Sequence, residues 1–318
     1  MSDGATGFRF PLSLPSPALL VRRLDAQRMR ALPQLLAARA TQVREAREAC
    51  AALWRDPGAD VGDTLDTIAR SLLAELRATG GALARLDAGV RSERQEILDH
   101  HAVPASLRRF TMRLLAYVNE RLGSYPMWTG AITHALAGAS VAHVEDLASG
   151  TGAFLRWLAE HPPRGFALTL TSSDLDPDYL AVGEAAAAAS GSDVRFAIRN
   201  ALDLRPASGV DLFLCTQATH HLGPGQVVRM ISQATFAAPR GILIVDLLRS
   251  LAIAISAVVT TSSIMPFPVL VADGVQSVRR AYLPSELALL AELAGAAHVE
   301  ARPFGPAHVT LHAAGRAA

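Results

Sequence analysis

The segment from Val144 to Gly152, VEDLASGTG, constrains the fold of this chain more than any other. The first residues of this segment are typical of a buried strand and include a carboxylate, Asp146. They are followed by a loop that contains Gly150 and Gly152. Glycines in such a loop let backbone N–H groups approach a ligand that a Cβ atom would exclude. Residues 153–160 then favour a helix. A strand, a glycine-rich loop and a helix in this order are typical of nucleotide-binding α/β folds.

Short apolar runs alternate with helix-forming segments from Trp128 to the end of the chain. The predicted strands cover residues 144–148, 167–173, 194–198, 211–215, 242–246, 299–303 and 309–312, and further helices are predicted at 178–190, 226–236 and 284–294. This alternation indicates βαβ units and a mostly parallel sheet. The last two strands have only a short connection, which favours a hairpin. We therefore predict an α/β, Rossmann-like fold whose seven-stranded, mostly parallel sheet ends in an antiparallel C-terminal hairpin.

The first part of the chain is predicted to be all helical. Apolar residues recur at three- and four-residue steps, as at Leu72, Leu73 and Leu76. No chemically suggestive motif occurs here, and His100 and His101 are expected at the surface or at a helix cap. We predict that residues 1–125 form a helical cap or dimerisation region, with a possible homodimer through these helices. Residues 126–318 are predicted to form the ligand-binding domain.

Composition excludes several classes of protein. A formal net charge of +1 is too balanced for a protein that neutralises nucleic-acid phosphates. Cys50 and Cys215 lie far apart, without the spacing of a disulfide framework or a zinc site. The N-terminus shows no basic region followed by an apolar core, so we expect a cytoplasmic protein. All 30 basic residues are arginine, which indicates a GC-rich, bacterial genome.

One apolar stretch tests the expectation that the chain does not span a membrane. Residues 251–272 carry no charge before Asp273, and a run of this length is a candidate span. Pro266, Pro268 and the hydroxyl cluster at 260–263 argue against one. We expect an apolar lid over a substrate pocket, with a core helix as the alternative.

The predicted strands end in polar residues. Asp174 closes the second strand 22 residues after Gly152, near the position at which a carboxylate binds a ribose diol. Asn200 and Ala201 follow the third strand, and residues 216–222, TQATHHL, follow the fourth. Carboxyl ends of parallel strands meet at one edge of a sheet, where ligands bind in the crevice between loops. We expect these residues to share one site.

In this order, the motifs resemble those of class I S-adenosylmethionine-dependent methyltransferases. That family typically has an acid-x-Gly-x-Gly-x-Gly loop, an acid closing the second strand, an Asp-Ala pair after the third and often Leu-His-His-Leu after the fourth. Here Ala148 stands at the first glycine position and Asn200 at that of the Asp. Residues 246–250 and 273–282 resemble a bacterial small-molecule subgroup found near polyketide genes.

The resemblance implies S-adenosylmethionine as cofactor and S-adenosylhomocysteine as product. It implies a cofactor site in which Asp146 contacts the ammonium group and the glycine loop passes under the methionine part. Asp174 would bind the ribose, and the remaining residues would contact the adenine or the methyl donor. The cofactor-binding residues are then Asp146, Ala148, Gly150, Gly152, Asp174, Leu175, Asn200, Ala201 and Thr216.

The resemblance also implies that His220 is the general base, with a packing or capping role as the alternative. Substrate contacts are expected from His221, Tyr125, Trp128 and Arg249. No metal is expected, because no Asp-Asn pair follows the fifth strand, and the lack of Asn-Pro-Pro-Tyr after the fourth argues against nucleic-acid and protein substrates.

The predicted function is therefore methylation of a phenolic or polyketide-like small molecule in secondary metabolism, preferentially at oxygen. Two alternatives stay open at this point. One is C-methylation, and the other is a cofactor-binding protein that catalyses a rearrangement or cyclisation instead. A dehydrogenase is disfavoured, because Gly150-Thr151-Gly152 continues as Ala153-Phe154-Leu155 and so departs from GxGxxG.

Overall fold

A computed structural model describes residues 17–99, 103–205, 209–264 and 268–315 of the chain. The expectations for His100, His101, Pro266 and the first 16 residues lie outside these ranges. No helix within them is long and apolar enough to cross a membrane. The uncharged stretch at 251–272 instead contributes to two helices, which are described below.

Seven strands form a single sheet in the order β3-β2-β1-β4-β5-β7-β6. Neighbours among β1 to β5 pair in parallel, whereas β7 is antiparallel to both β5 and β6. This topology confirms the predicted fold class, including the C-terminal hairpin. The strands are β1 Val141–Leu147, β2 Ala167–Asp174, β3 Arg195–Ile198, β4 Leu212–Thr216, β5 Ile242–Leu247, β6 His298–Phe304 and β7 His308–Ala314.

Helices connect the strands and cover the sheet. Local sequence explains several of their ends. The carboxylate of Asp176 accepts from the backbone N–H of Asp178 at 2.9 Å and caps α8, which Pro177 opens, and Gly191 ends it in a left-handed conformation. The helices of this region are α7 Ala153–Glu160, α8 Pro177–Ser190, α9 Pro224–Ala237, α10 Leu251–Ile264, α11 Pro268–Arg280 and α12 Pro284–Leu293.

Among the described residues, six α-helices precede the sheet, in the region that the apolar periodicity predicts to be helical. They are α1 Pro17–Ala38, α2 Ala40–Arg55, α3 Gly62–Ala78, α4 Ala82–Val90, α5 Ala105–Arg121 and α6 Ser124–Ala135. Two short 3₁₀ helices, Ile97–Asp99 and Thr219–His221, lie near the site described below.

The early helices share a hydrophobic core with the sheet. Leu72 and Leu76 of α3 belong to the same buried cluster as Val227 of α9, Leu287 of α12 and Leu311 of β7. A second cluster packs α6 and α7 against the sheet. The boundary expected between residues 125 and 126 falls inside α6. The division into two domains and the homodimer remain predictions.

Candidate cofactor and acceptor site

The loop after β1 turns through left-handed backbone at three positions. Ala148, Gly150 and Gly152 have φ angles of +50°, +59° and +62°. For alanine this conformation costs about 1–2 kcal/mol, and such strain is concentrated at functional sites. Glycine is required at Gly152, because a Cβ atom there would lie 2.5 Å from Ser172 Oγ and 2.9 Å from the Phe196 ring. The loop is therefore closely fitted to β2.

Asp174, at the end of β2, holds this loop in place. Its carboxylate accepts from the backbone N–H of Gly150 at 2.8 Å and from that of Asp176 at 2.9 Å. Burial raises its pKa, although these hydrogen bonds oppose the shift. A carboxylate offers about four acceptor positions, so two remain for a pair of ribose hydroxyls. Asp174 also lines the larger of two adjoining cavities.

Asp146 is a buried acid with one oxygen available. Its Oδ2 accepts from the Thr216 hydroxyl at 2.8 Å, whereas Oδ1 has no hydrogen-bond partner among the described residues. Burial raises the pKa of Asp146 to about 7. Buried acceptors are normally satisfied, so this oxygen fits a donor supplied from outside the chain. The ammonium group of the cofactor is such a donor.

Two cavities meet over the loop after β1. The larger, of about 290 Å³, is lined among others by Ala148, Gly150, Asp174 and Ala201. The smaller, of about 100 Å³, is lined among others by Tyr125, Trp128, Asp146, Ala148 and Thr216. The structure therefore brings most of the expected cofactor-binding residues around one continuous cleft. Together with the open acceptors of Asp146 and Asp174, this lining fits an adenosyl group joined to an amino acid.

Three expected cofactor residues do not line these cavities. Gly152 is buried beneath the loop, where its role is to permit close packing. Leu175 is 61% exposed, and the Asn200 side-chain oxygen accepts from the Leu202 N–H at 2.9 Å, so it shapes its own turn. The predicted contacts of Leu175 and Asn200 with adenine stay predictions.

Helix α5 covers the cleft, and nothing in the sequence pattern singled it out. Met112 and Leu115 line both cavities, and the Met112 methyl group lies where a Cβ atom on Gly150 would project. The Asn119 amide donates to the Gln217 side-chain oxygen at 3.0 Å across the cleft. The uncharged stretch at 251–272 was expected to form a lid, but none of its residues whose side chains the structure describes lines either cavity.

His220 is held by the acid that closes β5. The Asp246 carboxylate contacts His220 Nδ1 at 2.7 Å and accepts from the His220 backbone N–H at 2.8 Å. Burial alone would raise the pKa of Asp246, but the attraction of His220 and its hydrogen bonds hold that pKa below its usual value. A proton on Nδ1 is therefore favoured, which leaves Nε2 as the acceptor. An acid at the end of a predicted strand was the available signal for Asp246.

Glu96 lies between His220 and the larger cavity. Its Oε1 is 3.6 Å from His220 Nε2 and 4.0 Å from His221 Nδ1, and it accepts from the Ser277 hydroxyl at 2.8 Å. Burial raises the pKa of Glu96 to about 7, while His221 opposes the shift. Glu96 and His221 line the cavity, and His220 is set behind them. Sequence reasoning missed Glu96, which follows a helical region and matches no motif.

The same three side chains could also hold a metal ion. Ligand-type atoms of Glu96, His220 and His221 lie within 4.8 Å of one another. No metal was expected from the sequence, because no Asp-Asn pair follows the fifth strand. Carboxylate and imidazole are suitable ligands for several divalent metals. The chemistry of this cluster is therefore either proton transfer or metal binding.

Two of the expected substrate residues are aromatic and deeply buried. The Tyr125 hydroxyl donates to the Ala116 carbonyl at 3.3 Å, and the Trp128 indole N–H has no partner in the described part of the chain. Their rings contact one another edge to face, 5.4 Å apart. Both line the smaller cavity beside Asp146, so they lie close to the expected methionine end of the cofactor.

The expectation for Arg249 is wrong. Its guanidinium is fully buried and donates to Asp87, to Glu286 and to the Ala281 carbonyl, at distances from 2.5 to 3.0 Å. Arg28 also pairs with Asp87, at 2.8 Å. Because its donors are used inside the protein, Arg249 joins α4, α12 and the residue after α11 to the end of β5 and does not reach a substrate.

Comparison with known proteins agrees with this geometry. Residues 144–238 match a family model described as a methyltransferase domain. No curated protein matches the sequence.

Solved structures with a similar fold include methyltransferases. A SAM dependent methyltransferase from Aquifex aeolicus is 16% identical, with a TM-score of 0.40 and coverage of 54% of this chain and 81% of that one. The magnesium protoporphyrin IX methyltransferase ChlM from Synechocystis PCC 6803, with bound SAH, is 16% identical, with a TM-score of 0.41 and coverage of 61% and 84%. The [4+2]-cyclase SpnF is 17% identical, with a TM-score of 0.33 and coverage of 38% and 45%.

The matched segment contains the glycine loop, Asp174 and the histidine pair, and it includes most of β1 and all of β2, β3 and β4. Residues 144–238 of this chain are therefore similar to a methyltransferase domain, the class of protein that the sequence motifs resemble.

Proposed function

We propose that this protein methylates an oxygen of a small-molecule acceptor, a phenol or an enol, and that His220 is the general base. The observation that carries the proposal is the 2.7 Å contact between His220 Nδ1 and Asp246. It orients a buried imidazole so that Nε2 can accept a proton. Bound S-adenosylmethionine supplies a methyl group already activated on a sulfonium.

The chain's own residues then have to align the acceptor and remove its proton. Glu96 lies at the cavity wall, 3.6 Å from His220 Nε2. We infer that Glu96 passes the acceptor proton to His220, because a carboxyl with a pKa of about 7 can gain and lose a proton near neutrality. Asp246 stabilises the imidazolium that forms. Met112 and Leu115 of α5 line the cleft with apolar surface beside the acceptor.

The test compares three variants with a matched control. Using a panel of phenols and enols, S-adenosylhomocysteine release would be measured for His220→Ala, Glu96→Gln and Asp246→Asn. His298→Ala removes an exposed histidine on β6 and serves as the control. We expect turnover to fall by roughly 10²–10⁴-fold in the His220 variant, with unchanged cofactor affinity. Turnover near that of the wild type would contradict a base at His220.

Two additional readouts separate the alternatives. Mass spectrometry of the product distinguishes O- from C-methylation, for which an enol deprotonated by His220 would serve equally well. Acceptor conversion without S-adenosylhomocysteine release would indicate rearrangement or cyclisation. A chelator should leave turnover unchanged, because the base mechanism needs no metal. Loss of activity in chelator that a divalent cation restores would assign Glu96, His220 and His221 to metal binding instead.

A further inference from the structure

A third cavity lies beside the cofactor cleft, between α5, α7 and α8. Its volume is about 650 Å³, and its lining includes Arg109, Arg113 and Arg156 with one acid, Asp178. We propose that this cavity, the arginine groove, binds the carboxylate or phosphate of an acceptor that also has an apolar part. As a statement about the acceptor, the inference rests on the proposed function. As a statement about anion binding, it stands alone.

The charges in the arginine groove lack counter-ions. Three guanidinium groups against one carboxylate leave a formal charge of +2. Within the described ranges, no ion pair is formed by Arg109, Arg113 or Arg156. Neighbouring arginines differ: Arg108 pairs with Asp176 at 3.4 Å, and Arg199 pairs with Glu145 at 2.5 Å. Unpaired like charges around one cavity repel each other unless an anion binds between them.

One donor in the arginine groove is buried as well as unpartnered. The Arg156 Nε atom is shielded from solvent and has no acceptor among the described residues. Buried donors are nearly always hydrogen-bonded, and each exception calls for a partner. Guanidinium groups match the planar geometry of carboxylates and phosphates. Arg156 Nε therefore points to an anionic acceptor supplied by a ligand.

The opposite wall of the arginine groove is apolar. Small aliphatic side chains of α8 form it, among them Ala181, Val182 and Ala185. The volume lies in the range of pockets that hold drug-sized organic molecules and exceeds the need of a single inorganic ion. A ligand with a charged end and a hydrocarbon body satisfies both walls.

Two residues connect the arginine groove to the cofactor cleft. Thr151, directly after Gly150, and Ala116 line both this groove and the smaller cavity. Helix α5 presents Met112 towards the cleft and Arg113 towards the groove. A ligand anchored in the groove therefore contacts the helix that covers the methyl donor. An acceptor whose acidic end binds in the groove would make this contact.

Isothermal titration with a matched pair of probes tests the inference. Decanoate carries the carboxylate and the apolar chain, whereas decanol has the same chain without the charge. The double variant Arg109→Ala/Arg113→Ala changes surface side chains only. Arg164→Ala, an exposed arginine between α7 and β2, is the control. Thermal unfolding checks that every variant folds. If the double variant does not fold, the single Arg113→Ala variant replaces it.

We expect decanoate to bind the wild type and the Arg164 control equally. Its affinity should fall at least about tenfold in the double variant, which loses charge-assisted hydrogen bonds, and should weaken with added salt. Absence of decanoate binding to the wild type, equal binding to the double variant, or equal binding of decanol would overturn the inference. Cofactor affinity is measured in parallel, so that the two proposals can be refuted separately. A wild type that binds decanoate but not S-adenosylmethionine would refute the proposed function alone.

Discussion

Replacing Gly152 by alanine tests how closely the cofactor loop is fitted to the sheet. Gly152 and Gly191 both have left-handed backbone, with φ of +62° and +71°, so alanine costs about 1–2 kcal/mol at either position. At Gly191 a new Cβ atom meets nothing within 4 Å. At Gly152 it would lie 2.5 Å from Ser172 Oγ, which the Ser149 hydroxyl holds at 2.5 Å. Overpacking adds about 1–3 kcal/mol there.

The free energy of unfolding should therefore fall by about 1–2 kcal/mol in Gly191→Ala and by about 2–5 kcal/mol in Gly152→Ala. Urea unfolding followed by circular dichroism measures both, provided that the transitions are two-state. Calorimetric titration should show weaker S-adenosylmethionine binding only for Gly152→Ala, because only that loop would shift. Equal losses of stability in the two variants would refute the packing argument.

Three further substitutions probe the buried charges and the strained loop. Arg249→Leu should lower stability by about 3–5 kcal/mol in urea, because Asp87 and Glu286 lose a buried partner; stability like that of the wild type would contradict this role. Burial raises the Glu96 pKa from 4.5 to about 7, so the wild type should lose about 3 kcal/mol of stability as pH rises between these values, as the unfolded state ionises first. Glu96→Gln should lose this part of the pH dependence and keep only the part due to Asp146, whose pKa burial also raises; parallel pH profiles of the wild type and the variant would refute it. Ala148→Gly should gain up to about 1 kcal/mol in thermal unfolding by relieving strain, and a loss would contradict the left-handed turn.

The sheet was predictable because its signals are local. Apolar runs bounded by turn residues located all seven strands to within a few residues, and the short loop before His308 fixed the hairpin. Asp146, Ala148 and Thr216 could be placed at one edge because parallel strands end together there. The register bears this out, since Asp146 lies opposite Ser172 on β2 and Leu214 on β4.

The parts that sequence reasoning missed depend on long-range packing. Glu96 and Met112 reach the cleft from segments whose own pattern indicates only helix or loop. Arg249 was misread for the same reason. The resemblance of residues 246–250 to a small-molecule subgroup suggested a substrate contact. The partners of Arg249, Asp87 and Glu286, instead come from α4 and α12, whose approach no local pattern reveals.

Calorimetric titration of S-adenosylmethionine into the full chain tests the central claim most directly. The account predicts one-site binding that weakens at least about tenfold in Asp174→Asn, through loss of a charge-assisted hydrogen bond to the ribose. Asp193→Asn, at an exposed position before β3, should bind like the wild type. Absence of binding to the wild type, or equal affinity in the Asp174 variant, would contradict the assignment of this cleft to the methyl donor.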